Sequence, residues 1–324
     1  MPDCRTRFAP SPTGQLHLGH ARAAFEAFEF AHVRGGTCLL RIEDIDHTRC
    51  RPDYTRGIYA DLDWLGLDWP LPVRVQSANR QDYTKLIADL VERGLAYPCT
   101  QSRSAIKQGA KTGPNAKLSF EDRDLAIWSD CSLLSLSDPL ISEVKKQERV
   151  LKCLSVSSEQ ENPTLPFAIR LNLTRALEGV SDQSLTYLNI EAKCGDEASS
   201  EGKSTDSDNI DARPFLADWA SSDRVDPIIA RRDIATSYDI AVTHDDALQS
   251  ITHVVRGKDL EAQTPLHVLI QRVMGWPTPI YYHHDLVLRE DGEKLAKRNL
   301  DTALATLREA GQSLADVKHM AGWA

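Results

Sequence analysis

Two short segments at opposite ends of the 324-residue chain carry side chains suited to nucleotide chemistry. Near the amino terminus, Pro10-Ser11-Pro12-Thr13-Gly14 precedes His17-Leu18-Gly19-His20. Two prolines and a glycine leave the first strand in a rigid turn, and a helix opens at about Gly19. The start of a helix offers unpaired N–H groups and the positive end of a dipole, which suits a triphosphate. Gly19 withholds a side chain where an adenine ring can lie against the backbone. His17 and His20 can both donate hydrogen bonds to phosphate oxygens, or simply cap the helix from the surface. Near the other end, Lys294-Leu295-Ala296-Lys297-Arg298 gathers cations that can neutralise a departing pyrophosphate. Taken alone, a charged loop of this kind is commonly just solvated. Its pairing with HLGH makes Pro10, His17, Gly19, His20, Lys294 and Lys297 candidate ATP-handling residues.

The elements that must position these groups alternate between strand and helix. Arg5 to Ala9 reads as a strand, and His20 to Val33 as a helix with Ala23, Ala24, Ala27, Phe28 and Ala31 at helical spacing. Gly35 and Gly36 stop that helix, and Thr37 to Ile42 reads as a buried strand. Helices follow at about Asp53 to Leu65 and Arg80 to Arg93. Such a succession implies a parallel sheet with right-handed crossovers. Between Thr100 and Asp226 the pattern weakens, apart from a strand within Leu165 to Leu173. Glu191 to Ala212 lacks apolar periodicity and reads as a solvated loop or a disordered insertion. From Pro227 onward, IIARRD, ITHVVRG and YYHHDLVL read as strands. Pro265 to Met274 and about Thr302 to Ala310 read as helices, and the AVTH run before Asp245 reads as a strand interrupted by His244.

Composition narrows the class. Hydrophobic residues at 41% and charged residues at 26% fit an ordinary globular protein. The net charge of −9 opposes unspecific adhesion to nucleic acid while allowing a local basic groove. From Glu191 to Asp226 there are ten acidic and four basic residues, so much of the acidity sits in one polar segment. The seven cysteines are scattered without a CxxC pair, as in a reduced intracellular protein. With neither a signal region nor a membrane-length apolar run, a cytoplasmic location is expected.

Four blocks carry a resemblance. RFAPSPTGQLHLGHAR, LLRIEDIDHTR, TSYDIAVTHDDALQSITHVVRGKDL and EDGEKLAKR resemble parts of the class I glutamyl-tRNA synthetases. The matching parts are the HIGH region, the RIEDTD segment, the segment completing the amino-acid pocket, and the KMSKS loop. The likeness is closer to the short paralogues of that family, the glutamyl-Q tRNA(Asp) synthetases, and is poor over residues 100–225. It implies a class I doubly wound parallel sheet of Rossmann-like type, split by an irregular insertion. Residues 1–99 would form the first half of the catalytic domain, 100–225 the connective insertion, 226–298 the second half, and 299–324 a short helical tail.

The resemblance further implies that Arg7, Ala9 and Ser11 line a glutamate pocket. Glu43 would take the ammonium group, while Tyr238 and Arg256 close the pocket. The chemistry agrees, because two carboxylates and one ammonium want two cationic forks and one carboxylate. Asp44 and Asp46 fit a capped turn as well as a substrate contact. In the implied reaction the substrate α-carboxylate attacks the α-phosphorus of ATP. His17 and His20 would hold the phosphates, Lys294 and Lys297 would stabilise the pyrophosphate, and Mg²⁺ is expected. The 26 residues after Arg298 are too few for an anticodon-binding domain. That shortness is the pattern of the short paralogues, and the resemblance to them implies the queuosine base of tRNA(Asp) as acceptor, reached in an anticodon loop with accessible bases. A monomer is expected.

Several positions depart from the family. Its zinc site wants a CxC pair, a Tyr and a third Cys; here Cys99 is followed by Gln101, and one cysteine cannot hold zinc, so none is expected. Ala296 replaces the usual Ser of the KMSKS-like loop. Asp239 and His244 suggest a changed pocket edge. The alternatives are a truncated synthetase charging a tRNA 3′ end, a non-catalytic tRNA-binding paralogue, and another nucleotidyltransferase of the HxGH group.

Overall fold

A computed structural model describes residues 3–107, 113–114, 143–180, 186–190, 210–214, 225–287 and 303–323. The strands are β1 Arg5–Phe8, β2 Thr37–Ile42, β3 Arg74–Val75, β4 Ala96–Cys99, β5 Ala168–Leu171, β6 Thr186–Ile190, β7 Ile210–Pro214, β8 Ile228–Ala230, β9 His253–Gly257 and β10 Ile280–His284. The α-helices are α1 Leu18–His32, α2 Pro52–Trp64, α3 Arg80–Glu92, α4 Arg103–Lys107, α5 Glu143–Ser158, α6 Leu173–Glu178, α7 Tyr238–Leu248, α8 Thr264–Val273, α9 Leu304–Glu309 and α10 Leu314–Met320.

Two parallel half-sheets meet at the centre. β3, β2 and β1 form one, and β9, β10 and β6 form the other. They meet where the Thr252 N–H donates to the Arg5 carbonyl at 3.0 Å, with β1 beside β9. In a doubly wound sheet the crevice outside the carboxyl ends of the strands, where the winding reverses, is the ligand position. The ends of β1, β2, β9 and β10 converge there.

Helices cover both faces. Ala24, Phe25 and Ala31 of α1 join Leu40, Ile58 and Leu62 in one apolar cluster, which Leu304, Leu307 and Val317 of the two C-terminal helices complete. The other cluster gathers α3, α5, α7 and α8 through Tyr83, Leu90, Val150, Ile240 and Leu269. No helix among the described residues is long and apolar enough to cross a membrane.

Between 100 and 225 the expected strand is β5, which pairs antiparallel with β4 and β8, while β6, which the sequence did not signal, runs parallel beside β10. Two sequence expectations are corrected. The pairing of β7 with β6 puts residues 210–212, expected to be loop, into a strand. Asp211 and Ala212 are exposed there, so backbone pairing holds this edge and leaves no apolar alternation to read. Residues 191–209 lie outside the described residues. Finally, the AVTH run is helical and not a strand, because Ser237 caps α7 by accepting from the Ile240 N–H at 3.3 Å.

Asp245 of α7 ties the halves together from the buried side. Fully buried, it accepts from Arg74 Nε at 2.7 Å, Tyr83 Oη at 2.8 Å and Gln76 Nε2 at 3.1 Å. Asp245→Ala leaves Arg74 with only its more exposed partner Asp82 and strands the Tyr83 and Gln76 donors. It is expected to lower the unfolding free energy by about 3–5 kcal/mol in urea titrations. Tyr83→Phe, which removes one donor and no charge, is expected to cost about 1 kcal/mol.

Candidate active site

The β1–α1 connection builds one wall of the site. His17 caps α1: its Nδ1 accepts from the Gly19 N–H at 3.2 Å, and His20 Nδ1 accepts from the His17 N–H at 3.1 Å. Because both Nδ1 atoms accept, each ring carries its proton on Nε2. The capping geometry therefore fixes the tautomer that donates to an anion. A Cβ on Gly19 would sit 3.1 Å from the His17 ring, so this glycine also leaves room for the cap. The described chain ends at Val287 and resumes at Ala303, which bridges to His17. Val287 and His17 line the same cavity. Lys294, Lys297 and the replaced Ala296, all between those points, lie outside the described residues.

That cavity, of about 680 Å³, is lined by Arg7, Ala9, Pro10 and Ser11 after β1, and by His17, Gly19 and His20 at the start of α1. Glu43 after β2, Tyr238 at the start of α7 and Arg256 on β9 complete the set. Every described residue expected from the sequence to touch ATP or glutamate thus faces one space.

The charges behind it form a network that the sequence reading did not include. Arg7 Nε and Arg41 Nη1 both donate to Asp246 Oδ1, at 2.9 and 2.8 Å. Arg41 Nη2 also donates to Glu43 Oε1 at 3.1 Å. All four side chains are buried. Burial pushes the Asp246 carboxyl up, but the guanidinium groups of Arg7 and Arg41 hold it below its ordinary value. Burial also raises the Glu43 carboxyl, with Arg41 and Arg7 opposing. An arriving ammonium would favour the ionised form of Glu43. The Tyr238 hydroxyl, pushed up to about 12 by burial and then by Glu43, stays protonated at neutral pH.

Arg256 is arranged differently. It is buried, yet its hydrogen-bond partners are neutral: Thr264 Oγ1 at 2.7 Å, His267 Nδ1 at 3.1 Å and His283 Nε2 at 3.3 Å. Among the described residues no carboxylate lies in ion-pair contact with it. A desolvated cation without a counter-charge is a strong site for an anion.

Other expectations resolve simply. Asp44 accepts from the Ser77 N–H at 2.7 Å, and Asp46 accepts from Arg231 Nη1 at 3.0 Å, so both brace loops. Neither Asp239 nor His244 is among the residues that line the cavity. His244 packs edge-on against Tyr83 and Trp276. Cys99 is buried at the end of β4. No group of three or more His, Cys, Asp or Glu among the described residues is disposed to hold a metal ion. The described protein thus offers no cage of its own for Mg²⁺.

With the geometry in hand, the comparisons with known proteins are direct. The chain matches the class I tRNA synthetases (E and Q), catalytic domain, over residues 3–170 and 217–315. It belongs to that family and is an enzyme of the ligase type. It is 35% identical over 317 residues to the glutamyl-Q tRNA(Asp) synthetase of Rhodobacter capsulatus, covering 98% of this chain and 99% of that one. It is 31% identical over 309 residues to a glutamate–tRNA ligase of Coprothermobacter proteolyticus, covering 95% of this chain and 55% of the ligase. A crystal structure of a glutamate tRNA ligase from Elizabethkingia meningosepticum, in complex with its amino acid, superimposes with a TM-score of 0.58. That pair is 25% identical, and the match covers 91% of this chain and 52% of the other. The chain therefore spans about half the length of those two ligases.

The histidines beside Arg256 give a pH signature. Burial and then the Arg256 charge push the His283 ring down from 6.5 to about 3. Between those values the unfolded chain holds a proton that the folded chain refuses. Stability is therefore fully present above about pH 6.5 and falls as the pH drops toward 3. Urea denaturation at stepped pH is expected to show that decline. In His283→Asn its slope between those limits should shrink by about one proton.

Proposed function

We propose that this chain activates L-glutamate with ATP to glutamyl-adenylate and transfers the glutamyl group to the queuosine base in the anticodon of tRNA(Asp). The observation that carries glutamate activation is Arg256, a buried guanidinium with no carboxylate partner among the described residues, facing the space that the HLGH helix start also faces. Arg256 receives one substrate carboxylate, Arg7 lies within reach of the other, and Glu43 receives the ammonium. The α-carboxylate oxygen attacks the α-phosphorus; the new P–O bond replaces the one to the bridging oxygen, and pyrophosphate leaves with its electron pair. His17 and His20 donate Nε2–H to phosphate oxygens, and Lys294 and Lys297 neutralise the leaving pyrophosphate. Mg²⁺ would be held by the phosphate oxygens of the nucleotide and would spread their charge. Zinc has no part in this reading.

The queuosine acceptor is supported by the likeness over nearly the whole length of both chains to the relative named glutamyl-Q tRNA(Asp) synthetase. A cytoplasmic monomer fits these substrates.

ATP–pyrophosphate exchange tests the first step. L-glutamate should drive exchange without tRNA. Arg256→Ala should lower kcat/KM for glutamate by on the order of 10²-fold or more, as expected when a buried charge loses its partner. Lys297→Ala should lower kcat with less effect on the KM for glutamate. Transfer is tested with labelled glutamate on queuosine-modified and unmodified tRNA(Asp) and on tRNA(Glu). Acylation of the modified tRNA(Asp) alone is expected, whereas charging of tRNA(Glu) would indicate a 3′-end synthetase.

A further inference from the structure

Asp239 breaks the family likeness and lies behind the cavity wall. Its Oδ1 is 2.9 Å from Nε2 of His267. His267, buried on α8, presents its other nitrogen, Nδ1, to Arg256 Nη1 at 3.1 Å. A guanidinium can only donate, so Nδ1 must accept. The imidazole proton therefore sits on Nε2 and points at Asp239, which a carboxylate accepts well. The result is a chain of carboxylate, imidazole and guanidinium that crosses from α7 through α8 to β9.

The other edge of Arg256 is built alike. His283 Nε2 faces Arg256 Nε at 3.3 Å, and its Nδ1 lies 3.0 Å from Asn189 Oδ1 on β6. Nη2 donates to the Thr264 hydroxyl at 2.7 Å. Each guanidinium nitrogen thus has one neutral acceptor. A carboxylate in direct contact would orient the fork equally well but would offset its charge, as Asp246, shared with Arg41, does in part for Arg7. Neutral rings orient the group and leave its charge for a ligand. Asp239, one ring removed, fixes the tautomer that makes this work.

We propose that Asp239 and His267 are positioning residues for substrate: Asp239 sets the tautomer of His267, and His267 holds the Arg256 fork toward the substrate carboxylate. This rests on the reading of the cavity as an acid-activating site. His267→Gln keeps an oxygen acceptor for Arg256 and an N–H donor for Asp239, while His267→Leu keeps bulk and loses both. Asp239→Asn keeps an acceptor, and Asp239→Ala removes it.

The test is ATP–pyrophosphate exchange by the full chain with glutamate and ATP varied separately, after melting curves establish that each variant folds. His267→Leu is expected to raise the KM for glutamate about tenfold, as for a lost hydrogen bond to a charged group. Its KM for ATP should stay within about twofold, and His267→Gln should recover most of the loss. Asp239→Ala is expected to raise the KM for glutamate about threefold, with Asp239→Asn near the wild type. Should His267→Leu fail to fold, the Asp239 pair decides, since that side chain is partly exposed. An unchanged KM for glutamate in folded His267→Leu and Asp239→Ala, equal rises for both substrates, or no recovery with glutamine would overturn the positioning role. Absence of glutamate-dependent exchange in the wild type would overturn the functional reading itself, and this inference with it.

Discussion

Asp246 receives two guanidinium groups on one oxygen, Arg7 from β1 and Arg41 from β2, while belonging itself to α7 of the second half of the fold. That contact spans some 240 residues of sequence. Burying three charges is costly, and the cost is met only when each finds its partner at the right distance. The arrangement therefore serves geometry more than stability. It sets Arg7 and Glu43 at one wall of the cavity and fixes how α7, with Tyr238 at its start, meets the first half-sheet.

Around that fixed point two kinds of cation are made. Arg7 and Arg41 are balanced by Glu43 of the first half and by Asp246 of the second, so this wall is nearly neutral. Arg256 comes from the second half, and its hydrogen-bond partners among the described residues are neutral, so its charge is left for a ligand. The pocket thus holds one strong anion position beside a carboxylate suited to a cation, a pattern complementary to an amino acid. Beside it, the capped start of α1 aims two Nε2–H donors where a nucleotide phosphate can lie. The groups proposed for both substrates thus line one crevice, at the place where the winding of the sheet reverses.

Part of this was legible from residue types: His17, Gly19, His20 and the turn before them stand at the cavity, and the alternation of strand and helix in the first hundred residues matches the fold. Glu43, Tyr238 and Arg256 also stand there, but it was the resemblance that singled them out. What escaped was long-range. Arg41 sits in the apolar run TCLLRI, where a charge implies a buried partner, yet nothing local says that the partner is Asp246. His267 lies on a helix face whose leucines and valine carry the periodicity, so its polar task is hidden among core positions. The AVTH run looks like a strand because β-branched Val242 and Thr243 precede His244; the Ser237 cap decides for helix. β6 and β7 are held by backbone pairing, which leaves little trace in composition.

The central claim is that the network around Asp246 shapes a pocket for glutamate. Calorimetric titration of L-glutamate into Asp246→Asn, beside the wild type, tests it most directly. Asparagine keeps the size and one acceptor oxygen but removes the charge shared by two arginines. The account predicts a folded variant whose affinity for glutamate is at least about tenfold weaker. Undiminished affinity in a folded variant would contradict it.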